Sequence, residues 1–140
     1  MILGFTGTRR GMTPGQRAAL AKCVASLPAR AIHGGAVGAD EEFNGFLINA
    51  GMRAEDIYVY PASVNRWMLW VDVGNTTYSV AKPLVRNHVI ARRCDYLIAA
   101  PATAKEVLRS GTWATVRYAR RANKSVIILL SDGGVREEKR

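Results

Sequence analysis

The chain has 140 residues, 49% hydrophobic and 22% charged, with twenty Lys+Arg against eleven Asp+Glu and a net charge of +9. That is one domain's worth of chain, long enough to bury roughly 70% of the surface its unfolded form exposes, and its composition excludes disorder, collagen and coiled coil. The basic excess favours anionic partners, nucleotides or nucleic acid, and says nothing about fold.

No apolar run approaches the roughly 18 residues of a membrane span. Met1 to Gly7 carries neither a basic n-region nor a cleavage pattern, so no signal peptide is expected. Cys23 and Cys94 are isolated, without CxxC or a nearby His pair. The expectation is a cytoplasmic protein with no disulfide framework, no metal and no cofactor.

In chain order, Ile2 to Thr6 reads as a short apolar strand closed by Gly7-Thr8-Arg9-Arg10-Gly11. Thr13-Pro14 opens a helix, since Thr caps well and Pro suits the first turn. Leu20, Val24 and Leu27 keep helical spacing up to Pro28. Arg30 to His33 is a second strand, ended by Gly34-Gly35. From Asp40 to Asn49, Phe43, Phe46 and Leu47 recur at helical spacing, with Gly51 as the expected C-terminal stop. Ile57 to Tyr60 is a third strand.

Residues 62–82, with Trp67, Trp70 and an Asn75-Thr76-Thr77 run, break this rhythm and read as an excursion. The pattern resumes with a helix from Leu84 to Arg93, a strand from Tyr96 to Ala100, a helix from Thr112 to Asn123 and a strand from Ser125 to Leu130. Residues 133–140 are charged and read as a fraying tail. Alternating strands and helices imply a single Rossmann-like α/β domain over residues 1–132. Its sheet is expected to be doubly wound and mainly parallel, with about five strands.

In such sheets ligands sit beyond the carboxyl ends of the strands. Three strand ends carry small residues: Gly7-Thr8-Arg9, Gly34-Gly35-Ala36-Val37-Gly38 and Ser110-Gly111-Thr112. Glycine permits close backbone approach, and helix N-termini attract anions. The helix after Gly38 opens with Asp40-Glu41-Glu42, which complement its positive end and repel phosphate. The helix after Ser110 has no acid in its first turns. The expected phosphate therefore sits at Gly111 and Thr112, helped by Thr8 and Arg9. Asp40 then either caps its helix or faces a ribose hydroxyl or base edge, while Glu41 and Glu42 cap. There is no GKS or GKT, and the spacing from Gly4 to Gly11 is wrong for GxGxxG.

Gly7-Thr-Arg9, Gly34-Gly-Ala-Val-Gly38-Ala-Asp40, Arg86-Asn87-His-Val-Ile90 and Ser110-Gly-Thr-Trp-Ala-Thr115 together resemble the SLOG superfamily. That superfamily joins the Rossmann domain of DprA/Smf proteins with LOG proteins, and the likeness is nearest to short DprA-like members. The resemblance implies a nucleotide-derived ligand, or single-stranded DNA as in DprA, and a homo-oligomer. Arg86 would clamp a phosphate and Asn87 read a base edge. The ligand-binding set is thus Gly7, Thr8, Arg9, Gly34, Gly35, Gly38, Asp40, Arg86, Asn87, Ser110, Gly111 and Thr112.

LOG phosphoribohydrolases look like PGGxGTxxE with a catalytic Glu, and Thr115 stands in that place. Binding or sensing is therefore expected over nucleoside-monophosphate hydrolysis, with Asp40 and Glu106 the only candidate replacements for the Glu. Trp113 reads as a cavity wall. Trp67, Trp70 and Tyr78 either stack on a base or pack an interface. Arg117, Arg120, Arg121 and Lys124 share one helix face, which is either a solvated surface or a track for single-stranded nucleic acid.

Overall fold

The computed structural model describes residues 1–61, the backbone of 76–77, and 82–140. Of the expected excursion over residues 62–82, Thr76–Thr77 form a strand of the sheet, and residues 62–75 and 78–81, with Trp67, Trp70 and Tyr78, lie outside the described residues. The elements are β1 (Ile2–Gly7), α1 (Pro14–Cys23), β2 (Arg30–His33), α2 (Ala39–Asn49), β3 (Ile57–Val59), β4 (Thr76–Thr77), α3 (Pro83–Arg93), β5 (Tyr96–Ala100), α4 (Gly111–Arg121), β6 (Ser125–Leu129) and β7 (Val135–Glu138).

They build one α/β domain around a sheet in the order β4-β3-β2-β1-β5-β6-β7. Its neighbours pair in parallel except β6 and β7. Strand order reverses at β1: the chain steps outward through β2, β3 and β4, then returns to β5 on the other side. A crevice therefore opens where β1 and β5 end.

Side-chain alternation along the strands fills two cores. Leu3, Phe5, Ile98 and Ala100 pack with Leu20 of α1 and Phe43 and Leu47 of α2. Leu97, Ala99, Val126 and Ile128 pack with Ile90 of α3 and Trp113, Val116 and Ala119 of α4. The helices before β3 cover one core and those after it the other. Among the described residues, no helix is long and apolar enough to cross a membrane.

Local chemistry sets the helix ends. Thr13 Oγ1 accepts from the Gln16 N–H at 3.1 Å while Gln16 Oε1 accepts from the Thr13 N–H at 3.0 Å, a reciprocal cap. Gln16 Nε2 also donates to the carbonyls of Pro101 and Leu129, which ties α1 to the ends of β5 and β6. The helix ends at Cys23, because Val24 leaves helical backbone (φ −114°, ψ 51°), so Leu27 lies beyond it. Past α2, Gly51 takes φ +104° and stops the helix as expected.

Half of the expected fraying tail is instead a strand. Val135–Glu138 is an antiparallel edge strand on β6, and Arg120 holds Glu138 with two bonds of 2.7 Å. Backbone pairing at an exposed edge needs no apolar alternation, so charged residues serve there.

Candidate functional site

A cavity of about 400 Å³ lies at the carboxyl ends of β1, β2 and β5, closed on its other sides by the starts of α3 and α4. One wall is the loop after β1. Thr8 joins three elements: its N–H donates to the Ala100 carbonyl at 3.1 Å, and its carbonyl accepts from Gly11 and Ala39. Gly7 and Arg9 complete that wall. A side chain on Gly7 would collide with Ala39, so glycine brings the end of β1 onto α2.

Glu42 anchors the same loop. It accepts from the Met12 N–H at 2.5 Å and from Arg17 Nη1 at 3.0 Å. Glu42 thus bonds across the fold while lying in the first turn of α2 with Glu41, which is exposed.

The second wall carries Gly34, Ala36 and Asp40. Asp40 is only 6% exposed. Its Oδ2 accepts from the Ala36 N–H at 3.2 Å, while Oδ1 is buried without a hydrogen-bond partner. Burial pushes its pKa up, opposed by the nearby Arg86 charge and the backbone of Ala36 and Gly34.

His33 sits behind this wall, buried. The Gly35 N–H donates to Nδ1 at 2.9 Å, so the proton resides on Nε2 and goes to Asn44 Oδ1 at 2.8 Å. Burial lowers its pKa, in keeping with a neutral ring. His33 thus holds the Gly34-Gly35 turn in shape.

The third wall is the start of α3. Arg86 Nη1 donates to the carbonyls of Gly34 at 2.7 Å and Tyr60 at 3.3 Å, and its Nε donates to Asn87 Oδ1 at 2.7 Å. A Cβ on Gly34 would fall on Arg86 Nη1 and lie 3.2 Å from Asp40 Oδ2, so this glycine seats both groups. Asn87 is buried and reaches the Gly111 carbonyl at 3.4 Å.

The fourth wall is the start of α4, with Ser110, Gly111 and Thr112. Ser110 Oγ accepts from the Trp113 N–H at 3.2 Å. This cap satisfies the third N–H of the helix and leaves those of Gly111 and Thr112 at the cavity. No acid lies in that first turn.

Arg109 also lines the cavity and was missed in the sequence, although it directly precedes Ser110-Gly111-Thr112. It is exposed and makes no hydrogen bond or ion pair among the described residues.

Other predicted site residues fall elsewhere. Gly35 and Gly38 turn the loop from outside the cavity wall, at φ +66° and +90°. Trp113 is fully buried in the second core instead of forming a wall, and its Nε1 donates to Thr103 at 3.3 Å. Glu106 is not on the wall. It bonds Arg120 at 2.5 Å and faces Arg117 at 3.6 Å. Arg117 and Arg120 are thereby engaged, and Lys124 lies past the end of α4 at Arg121, so the expected four-residue basic face is not carried by one helix and only Arg121 of it is left. Thr115, where the LOG glutamate would stand, is fully buried and bonds the Gly111 carbonyl at 2.9 Å.

Among the described residues no group of three His, Cys, Asp or Glu side chains is placed to hold a metal ion. No protein-family model, curated protein or solved structure matches the chain.

Proposed function

We propose that this chain is a Rossmann-like, doubly wound protein of SLOG type that binds a nucleotide or nucleotide-derived phosphorylated small molecule. The two helix-covered cores and the reversal of strand order at β1 support that fold reading. The observation that carries the binding reading is the cavity's convergence of opposite chemistries. The free N–H groups at the start of α4, beside Arg109 and Arg9, offer an anion site. Across the cavity stands a buried carboxylate with one unpartnered oxygen. A volume of about 400 Å³ falls in the range of small-molecule sites. The phosphate lies against Thr8, Arg9, Gly111 and Thr112, with Asp40 towards the sugar.

Binding or sensing ranks above hydrolysis, because Thr115 bonds backbone inside the fold and Glu106 is held by arginines away from the wall, which leaves Asp40 alone of the two candidate replacements at the cavity. A single-stranded nucleic-acid role ranks lower, because Glu106 and Glu138 engage half of the basic face. A homo-oligomer remains part of the proposal, on the resemblance alone.

The test is a thermal-shift panel of mono-, di- and cyclic nucleotides beside short single-stranded oligonucleotides. A ligand at a hundredfold excess over Kd stabilises by about 2.7 kcal/mol. That raises the melting point by something on the order of 8 °C at this chain length. The expected result is a shift with one class of small nucleotide, lost in Thr112→Glu and Arg9→Ala. Shifts with oligonucleotides alone, falling steeply with salt, would replace this reading with the nucleic-acid one.

A further inference from the structure

Arg86 was expected to clamp phosphate, but its surroundings suit a different partner. Its guanidinium lies against Gly34, and Asp40 stands on the same glycine: the Cβ position of Gly34 is 2.7 Å from Arg86 Cζ and 3.2 Å from Asp40 Oδ2. A phosphate drawn to Arg86 would therefore meet the Asp40 carboxylate as well, a like charge at close range in a partly desolvated site. The opposing charges of Asp40 and Arg86 offset each other, so this end of the cavity carries little net field.

Each group nevertheless keeps one unused bonding position. Asp40 Oδ1 is a buried acceptor without a donor. Arg86 Nη2 is a donor without an acceptor among the described residues, since Nε and Nη1 make all three of its hydrogen bonds. The opposite lip of the cavity holds Arg109, without a hydrogen bond or ion pair among the described residues, beside the acid-free start of α4.

Resting on the phosphorylated-ligand reading, we propose that Asp40 and Arg86, seated together on Gly34, clamp an uncharged part of the ligand that presents an O–H or N–H donor beside an acceptor. Arg109 and the first turn of α4 hold its phosphate. The site thereby selects phosphate esters of polyols or of amide-bearing bases over phosphate alone. Two sources supply the clamped chemistry, the vicinal diol of a sugar and the amide edge of a base.

The experiment compares wild type, Asp40→Asn and Arg109→Ala with inorganic phosphate, ribose 5-phosphate, a ribonucleoside 5′-monophosphate, its 2′,3′-dideoxy counterpart and the unphosphorylated nucleoside. In Asp40→Asn the amide oxygen keeps the Ala36 bond and turns an NH₂ towards the cavity, so a donor now meets a donor. Affinity for the clamped esters is expected to fall at least tenfold, with inorganic phosphate unchanged. Arg109→Ala is expected to weaken every phosphorylated probe by a similar factor and to spare the nucleoside. Tight binding of ribose 5-phosphate identifies the diol as the clamped group, and tight binding of the dideoxynucleotide identifies the base.

A readout without ligand guards against a merely structural Asp40: the Asn variant melts no lower than wild type. A drop of several degrees in its ligand-free melting point would overturn the clamp, and so would equal losses for phosphate and nucleotide. If wild type binds no phosphorylated probe, the phosphate reading fails separately. The clamp then stands on nucleoside binding that Asp40→Asn abolishes, and is refuted if the nucleoside does not bind.

Discussion

Two glycines of neighbouring sequence make a controlled pair. Gly38 precedes α2 at φ +90°, ψ −126°, a region that an L side chain enters only with strain of order 1–3 kcal/mol. An alanine Cβ there would strike the Arg9 carbonyl and lie 2.7 Å from Arg9 Cα, so backbone must move and no flexible side chain can yield instead. That movement also strains the 3.0 Å bond from the Ala39 N–H to the Thr8 carbonyl, worth about 1 kcal/mol. Gly38→Ala is therefore expected to cost about 3–4 kcal/mol, a large share of a typical domain's stability.

Gly45 lies seven residues on, exposed within α2, and a Cβ there meets nothing within 4 Å. Gly45→Ala is expected to stabilise by about 0.5–1 kcal/mol, because alanine fixes less backbone freedom on folding. Thermal unfolding followed by circular dichroism would show Gly38→Ala lower by roughly 10 °C and Gly45→Ala higher by about 2–3 °C. Equal melting points for the two variants, or a Gly38→Ala protein melting within about two degrees of wild type, would refute the claimed contact between the β1–α1 loop and the start of α2.

Removing Arg120 by Arg120→Ala deletes a bidentate pair with Glu138 and a bond to Glu106. We expect a loss of about 1–2 kcal/mol that shrinks in high salt, together with earlier hydrogen exchange in β7; exchange in β7 at the wild-type rate would show that the ion pairs do not secure the strand. Thr115→Val should cost about 1 kcal/mol by removing the bond to Gly111, whereas Thr115→Glu buries a carboxylate and should cost several times more in urea unfolding without creating hydrolase activity. A stable, hydrolytically active Thr115→Glu would restore the LOG-type reading. The folded pKa of Asp40 is raised above its unfolded value, so its favourable contribution is complete below about pH 4 and is lost as pH rises through the folded pKa. The melting-point advantage of Asp40→Asn over wild type is thus expected at neutral pH and to vanish towards pH 4; an advantage independent of pH would refute the raised pKa.

Features encoded by short stretches of chain were legible in the sequence. The Thr13 cap, the Gly51 stop and the strand from Tyr96 to Ala100 each depend on residues within a few positions of one another. What was not legible depends on partners far along the chain. The basic residues 117, 120, 121 and 124 do follow helical spacing, but their electrostatic meaning changes once Glu106 and Glu138 arrive from a loop and an edge strand. Trp113 looked like a cavity wall because it follows the glycine turn, yet periodicity alone does not say which face of a helix meets the sheet. β7 was missed because a charged edge strand has no apolar signature. Arg109 carries no motif signal of its own, because the small-residue stretch begins only at Ser110.

The cavity's two ends are joined by bonds of the protein itself. The Gly34 and Tyr60 carbonyls hold Arg86, Arg86 holds the Asn87 side chain, and Asn87 reaches the Gly111 carbonyl that Thr115 also engages. This path runs from the β2 end through α3 to the first residue of α4, so the distance between the clamp and the anion site is fixed before any ligand arrives. A site assembled in this way loses little freedom on binding and selects ligands by the spacing of their charged and uncharged groups. The unpartnered Asp40 oxygen has its place in the same logic. An acceptor satisfied within the protein would be more stable and would offer a ligand nothing, so the stability forgone at Asp40 is available as selectivity at the cavity.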